Sequence, residues 1–242
     1  MKILRALLAI CLFVQFVNAQ TDTTKSNIKL LLVPYPSMMY FSDADADIAR
    51  YSNANEPKVR NTIRQQVESN LYHQLSAAFD VVSLVSATSL NGEEDLKKIY
   101  AATSYYLVNG KKNKDKRSST LFRKKDKKEK VVVTDTSTMV AQIQDPNLYT
   151  ALYQKHKHNY LVYISQFEIN TGNKNTIEWL KQQYTREYVI HYNVWDNTGK
   201  LVLAETLTLE AEGENQLQTI NEKYLRVMAE KVKEVFKSSL TP

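Results

Sequence analysis

The chain has 242 residues, of which 43 % are hydrophobic and 24 % charged, with a formal net charge of +6. That is ample for one globular domain with a sizeable core. A single cysteine and five glycines exclude a disulfide scaffold and a collagen-like chain. Because the glycines at 92, 110, 172, 199 and 213 are all isolated, the chain holds no phosphate-cradling loop, dinucleotide fingerprint or G-x-S-x-G elbow.

Taken in chain order, residues 1–19 read as a secretory signal peptide. Lys2 and Arg5 form a basic start, Ala6 to Val17 is apolar apart from Gln15, and Val17-Asn18-Ala19 is a V-x-A cleavage site. The run is shorter than the roughly 20 residues that span a bilayer. Two other readings are an N-terminal core helix and a lipoprotein, but Ile10 stands where a lipoprotein needs a small residue before its Cys11. Cleavage after Ala19 removes the cysteine and leaves 30 basic (32 − 2) against 26 acidic side chains, about +4. The expectation is an exported, soluble product, periplasmic or secreted, with a polar leader at 20–27 and one α/β domain at 28–238.

Lys29-Leu30-Leu31-Leu32-Val33, closed by Pro34, has the continuous apolar pattern of a strand covered on both faces. Residues 35–56 read as a loop. Asn55 caps a helix with Pro57 in its first turn, and Val59, Ile63, Val67, Leu71, Leu75 and Phe79 recur every four residues. Residues 80–85 then read as a second buried strand, so that strand, helix and strand make a βαβ unit with parallel strands. A second helix is predicted over 93–105, facing inward through Leu96, Ile99 and Tyr100.

Residues 111–130 change character abruptly. They carry eleven basic side chains, Lys111, Lys112, Lys114, Lys116, Arg117, Arg123, Lys124, Lys125, Lys127, Lys128 and Lys130, against three acidic ones, a net +8. Only Leu121 and Phe122 are apolar, so the segment reads as a mobile insertion. Ordered structure resumes at Val131–Val133. Asp145-Pro146 opens a short helix to about His156. Strands follow over 160–169, 188–195 and 201–209, the last two as an antiparallel hairpin turning at Gly199 with Leu201, Leu203, Leu207 and Leu209 on one face. A closing helix over 215–238 presents Leu217, Ile220, Tyr224, Met228, Val232 and Val235. The fold class is α/β (α+β): a mixed sheet flanked by helices, with an N-terminal βαβ unit and a C-terminal hairpin leading into a long helix.

This order, with three local patterns, resembles the periplasmic α/β domain shared by the curli-secretion channel family, the outer-membrane activators of penicillin-binding proteins and the N-terminal domain of the Tol-system propeller protein. Ile28–Pro36 (IKLLLVPYP) is similar to the group's opening strand and proline, Asn159–Phe167 (NYLVYISQF) to its aspartate-tyrosine strand, and Trp195–Leu201 (WDNTGKL) to its hairpin. Asn159 stands where that group commonly has aspartate, and the basic insertion has no counterpart there. Residues 39–53 also look like secreted Bacteroidota proteins of unknown function. The resemblance implies the fold and an envelope location.

Candidate chemistry is sparse. Asp43, Asp45 and Asp47 have the spacing that opens a calcium loop, but Ile48 and Ala54 replace the glycine and glutamate that such a loop needs at its sixth and twelfth positions. His156 and His158 share a face only on an extended chain, and zinc fails on ligand count. His73 and His191 read as satisfied structural imidazoles. Glu93 and Glu94 are adjacent and diverge on a helix, and nothing in the sequence argues that two carboxylates face one cleft. No catalytic, metal or cofactor residue is assigned. The sequence therefore reads as a non-enzymatic accessory protein of the cell envelope that binds a protein partner through a sheet edge or helix face. The alternative is a binder of anionic envelope polymer or membrane surface through 111–130, and a weaker one is a hydrolase built from scattered residues. The same charge attracts nucleic acid, which export argues against.

Overall fold

A computed structural model of the chain describes residues 25–85, 92–108, 130–131, 137–172, 177 and 184–240. The expected signal peptide and the basic segment, apart from Lys130, lie outside these residues.

β1 (Lys29–Val33) runs between two parallel neighbours, β3 (Asp80–Ser83) and β7 (Tyr160–Thr171). The reason for its unbroken apolar run is visible at once. Leu30 and Leu32 enter a core on one face of the sheet, and Leu31 and Val33 enter a second core on the other. The main sheet continues from β7 through antiparallel β8 (Thr185–Asp196) and β9 (Leu201–Glu212) to the two-residue β5 (Lys130–Val131). It is thus mixed, parallel at one end and antiparallel at the other.

The first core is closed by α1 (Asp45–Tyr51), α2 (Glu56–Ser76) and the C-terminal helix α5 (Leu217–Leu240). In α2 the Asn55 side chain accepts from Lys58 N–H, and the four-residue apolar repeat buries Val59, Ile63, Val67, Leu71 and Leu75. At about 1.5–3 kcal/mol for each side chain removed from water, this stripe fixes the helix against the sheet. α5 comprises a turn at Leu217–Thr219, a π-helical stretch Ile220–Leu225 and Arg226–Leu240. It starts at Leu217 rather than Asn215. Its buried face also takes Leu225, Ala229, Phe236 and Leu240, while the expected Val235 sits at the margin.

The second core lies under α3 (Gly92–Ala102), α4 (Pro146–His156) and an antiparallel pair, β4 (Thr103–Val108) with β6 (Thr138–Ile143). α4 is capped by Asp145, which accepts from Asn147 N–H, and ends at Lys157 in the left-handed region. The hairpin between β8 and β9 turns at Gly199, whose φ of +83° explains the glycine.

Four expectations need correction. Residues 35–56 are not a loop: a 3-10 turn at Ser37–Met39, β2 (Tyr40–Ser42) and α1 occupy them. β2 extends the line of β1 along β7, and Tyr35, Tyr40 and Phe167 stack there. The helix predicted over 93–105 stops at Ala102, because Thr103 to Val108, rich in aromatic and β-branched residues, pair with β6 instead. Leu201 leaves the face of its hairpin partners: the register shifts between Val194 and Trp195, and Leu201 joins the second core while Leu203, Leu207 and Leu209 stay with the first. His73 is exposed on α2, edge-on to Tyr72, rather than a buried, satisfied imidazole.

Candidate functional site

Two features of the surface offer recognition chemistry, the outer edge of β4 and a crevice beyond β1 and β3.

β4 and β6 form a sheet of their own, and among the described residues no main-chain ladder joins them to the larger one. Side chains do so instead. Asn193 on β8 accepts from Ala141 N–H and donates to Ala141 C=O, both at 3.0 Å, and the Trp195 indole N–H donates to that carbonyl at 3.0 Å. Ser165 on β7 donates to Met139 C=O. Met139 N–H donates to His191 Nδ1 at 3.2 Å. Since Nδ1 accepts there, Nε2 carries the ring proton and donates to Glu168 at 3.2 Å. Together with hydrogen bonds from Gln166 and Asn170, this donor draws the Glu168 carboxyl down to about 2 against the cost of burial. Thr206 also meets His191 Nδ1, at 2.8 Å, giving a threonine–histidine–carboxylate chain. Both ring nitrogens are engaged in seating β6, so the chain is a clamp. It gives His191 the structural role its place in a strand implied.

The clamp fixes which backbone groups of β4 face outward. Met139 and Ala141 turn their N–H and C=O away from β4, and in an antiparallel pair their opposite residues, Leu107 and Tyr105, turn theirs away from β6. Beyond Tyr105, whose hydroxyl meets that of Tyr163 at 3.0 Å, the strand runs out into solvent. Tyr106, Leu107 and Val108 are 38 %, 61 % and 38 % exposed. An exposed apolar edge with unpaired backbone groups is a template for a further strand.

The crevice has a volume of about 640 Å³. It lies beyond the carboxyl ends of parallel β1 and β3, the usual ligand position in open α/β sheets. One wall is a stripe of α2 (Asn61, Arg64, Gln65, Glu68), the other a stripe of α3 (Glu93, Leu96, Lys97, Tyr100), and Leu84 and Val85 follow β3. Arg64 Nε donates to Tyr35 C=O at 3.0 Å, and its Nη2 lies 3.4 Å from the Tyr100 hydroxyl, which donates to Pro34 C=O at 2.8 Å. Burial pushes the Tyr100 phenol up to about 12, so it stays a donor at neutral pH. Ser83 donates to Glu68 Oε1. Glu93 and Lys97 pair with each other at 3.0 Å.

The residues singled out from sequence are dispersed. Asp43 accepts from Thr171 N–H. Asp45 is buried between the Tyr40 hydroxyl and Arg60, each at 2.7 Å, and Asp47 lies 3.9 Å from Arg186. Asp45 and Asp47 are helical, and among the described residues no three His, Cys, Asp or Glu converge on a cation position. His156 closes α4 and meets Asp95 at 3.0 Å, beside the Lys155–Asp95 pair. His158 is fully buried. Of the eleven basic residues only Lys130 is described, and its backbone pairs with Glu210. The edge of β4 and the crevice escaped sequence reasoning. The i, i+3, i+4, i+7 recurrence of polar side chains on α2 was the available signal for the crevice. The chain matches no model of a known protein family and none of the curated proteins compared with it.

Proposed function

We propose that this chain is an exported accessory domain of the bacterial cell envelope that binds a protein partner, and that the partner adds an extended segment to the outer edge of β4. The observation that carries the reading is the exposed run Tyr106-Leu107-Val108 on a strand paired on one side only among the described residues. Main-chain hydrogen bonds to Tyr105 and Leu107 would supply affinity, and the exposed side chains specificity. The export part rests on residues 1–19. The net +8 of residues 111–130, beginning three residues after Val108, would speed the approach of an acidic partner without being needed to hold it.

The test is retention of a discrete protein from detergent-solubilised envelope by the mature chain and by Leu107→Pro. Leu107 N–H faces away from β6, so proline removes the outward donor and leaves the β4–β6 ladder intact. The reading requires a protein retained at high salt by the mature chain and by a form lacking 111–130, and lost by Leu107→Pro with unchanged circular dichroism. Equal retention by Leu107→Pro refutes it. A second reading, favoured by the composition of 111–130, is binding of anionic polymer or membrane surface. It requires binding that disappears with salt and with deletion of that segment.

A further inference from the structure

We propose that the crevice beyond β1 and β3 binds a short zwitterionic peptide, a dipeptide with apolar side chains, with its carboxylate on Arg64 and its ammonium group on Glu68. This goes beyond the edge-strand reading and stands independently of it.

Arg64 and Glu68 are one helical turn apart on α2, the spacing at which opposite charges ordinarily pair on a helix. Here they do not pair. Arg64 is held by Tyr35 C=O and the Tyr100 hydroxyl, and Glu68 by Ser83. Among the described residues this leaves Arg64 Nη1 and the second Glu68 carboxylate oxygen without a protein partner. Both side chains are half-buried and line the same crevice. Two opposite charges partly withdrawn from water and held apart bear a desolvation cost that neither relieves for the other. A ligand carrying both charges completes them. Across the crevice Glu93 and Lys97 already neutralise one another, so Arg64 and Glu68 are left as the charged recognition pair.

The dimensions suit the ligand. Along the α2 axis the Cα atoms of Arg64 and Glu68 lie about 6 Å apart. The termini of an extended dipeptide lie about 6–7 Å apart at 3.3–3.6 Å per residue, and those of a single amino acid about half as far. The crevice volume of about 640 Å³ accommodates a dipeptide with room to spare. Asn61 and Gln65 offer amides to the peptide group, and Leu84, Val85 and Leu96 offer apolar surface to its side chains.

The test is a titration of the mature chain, followed by NMR chemical shifts, with alanyl-leucine, its N-acetyl form, its C-terminal amide, and free leucine. Saturable shifts with alanyl-leucine are expected, with affinity about tenfold or more weaker when either terminus is blocked. Glu68→Gln, which keeps an acceptor for Ser83, should bind the free and acetylated peptides equally. Arg64→Gln should bind the free and amidated peptides equally. The blocked peptides probe the same two contacts in the unaltered protein, so the test survives a variant that fails to fold. No saturable shift into the millimolar range, equal binding of free and blocked peptides, or leucine binding as tightly as the dipeptide overturns the proposal.

Discussion

His158 makes the acid stability of this protein calculable. Its side chain is fully buried behind the end of α4, edge-on to Tyr153 at 6.0 Å, and neither ring nitrogen has a hydrogen-bond partner among the described residues. Burial, and then the neighbouring His156 and Lys29, push the imidazole from its ordinary 6.5 down to about 4. The folded state therefore excludes a proton that the unfolded chain binds between these values, at about 1.4 kcal/mol per pH unit. The sign follows. Stability is undiminished above about pH 6.5 and falls by about 3 kcal/mol from pH 7 to pH 4 through this residue alone. Replacing His158 by Leu removes both the titration and the two orphaned nitrogens, so the variant should be at least as stable as the parent at pH 7. Urea unfolding followed by tryptophan fluorescence at pH 7, 5.5 and 4.5 measures the difference, in which the carboxylates common to both proteins cancel. The stability gap in favour of His158→Leu should widen by about 2 kcal/mol between pH 7 and 4.5. A gap that does not change with pH, or a variant less stable by more than about 2 kcal/mol at pH 7, refutes the reasoning.

Asn193→Ala deprives both Ala141 N–H and one lone pair of its carbonyl of their buried partner, and should cost about 2–4 kcal/mol in chemical denaturation. Glu168, held down at about 2, contributes stability that is present above its ordinary 4.5 and lost as the pH falls towards 2. Because it is partly exposed, the contribution is discounted to about 1–2 kcal/mol. Glu168→Gln should lower stability at pH 7 by that amount and flatten the acid limb below pH 4.5, as read from unfolding midpoints between pH 5 and 2.5.

The parts of the fold legible in the sequence are those whose periodicity is complete within one element. α2 declared itself by a cap, a first-turn proline and five buried residues at spacing four, and β1 by an apolar run that only a doubly covered strand requires. β2 and β6 could not be read this way. β2 has three residues and exists because β7 continues past the end of β1. β6, TMVAQI, lacks clean alternation, and its outward backbone is satisfied by side chains more than 20 residues away in sequence, from Ser165, His191 and Asn193. These three looked like polar interruptions of core strands, and their purpose appears only when β6 lies across them. Arg186 is the same case. It is a fully buried guanidinium on β8 that donates to Glu214 C=O and to Asn215 Oδ1 at 2.8 Å, and so fastens the sheet to the start of α5. The crevice was hidden for another reason. Its charged pair sits on the polar face of α2, where sequence alone cannot distinguish a solvated stripe from the wall of a cleft.

The seam between the two sheets gives the molecule two scales of cooperativity. Parting β7 from β8 unzips a ladder eleven residue pairs long, and opening of that kind approaches global unfolding. Parting β6 from the main sheet breaks side-chain hydrogen bonds and apolar packing but, among the described residues, no main-chain ladder, so β4 and β6 can lift together with their own ladder whole. In hydrogen exchange the Met139 and Ala141 amides, guarded by His191 and Asn193, belong to this smaller foldon and exchange ahead of the β7–β8 amides.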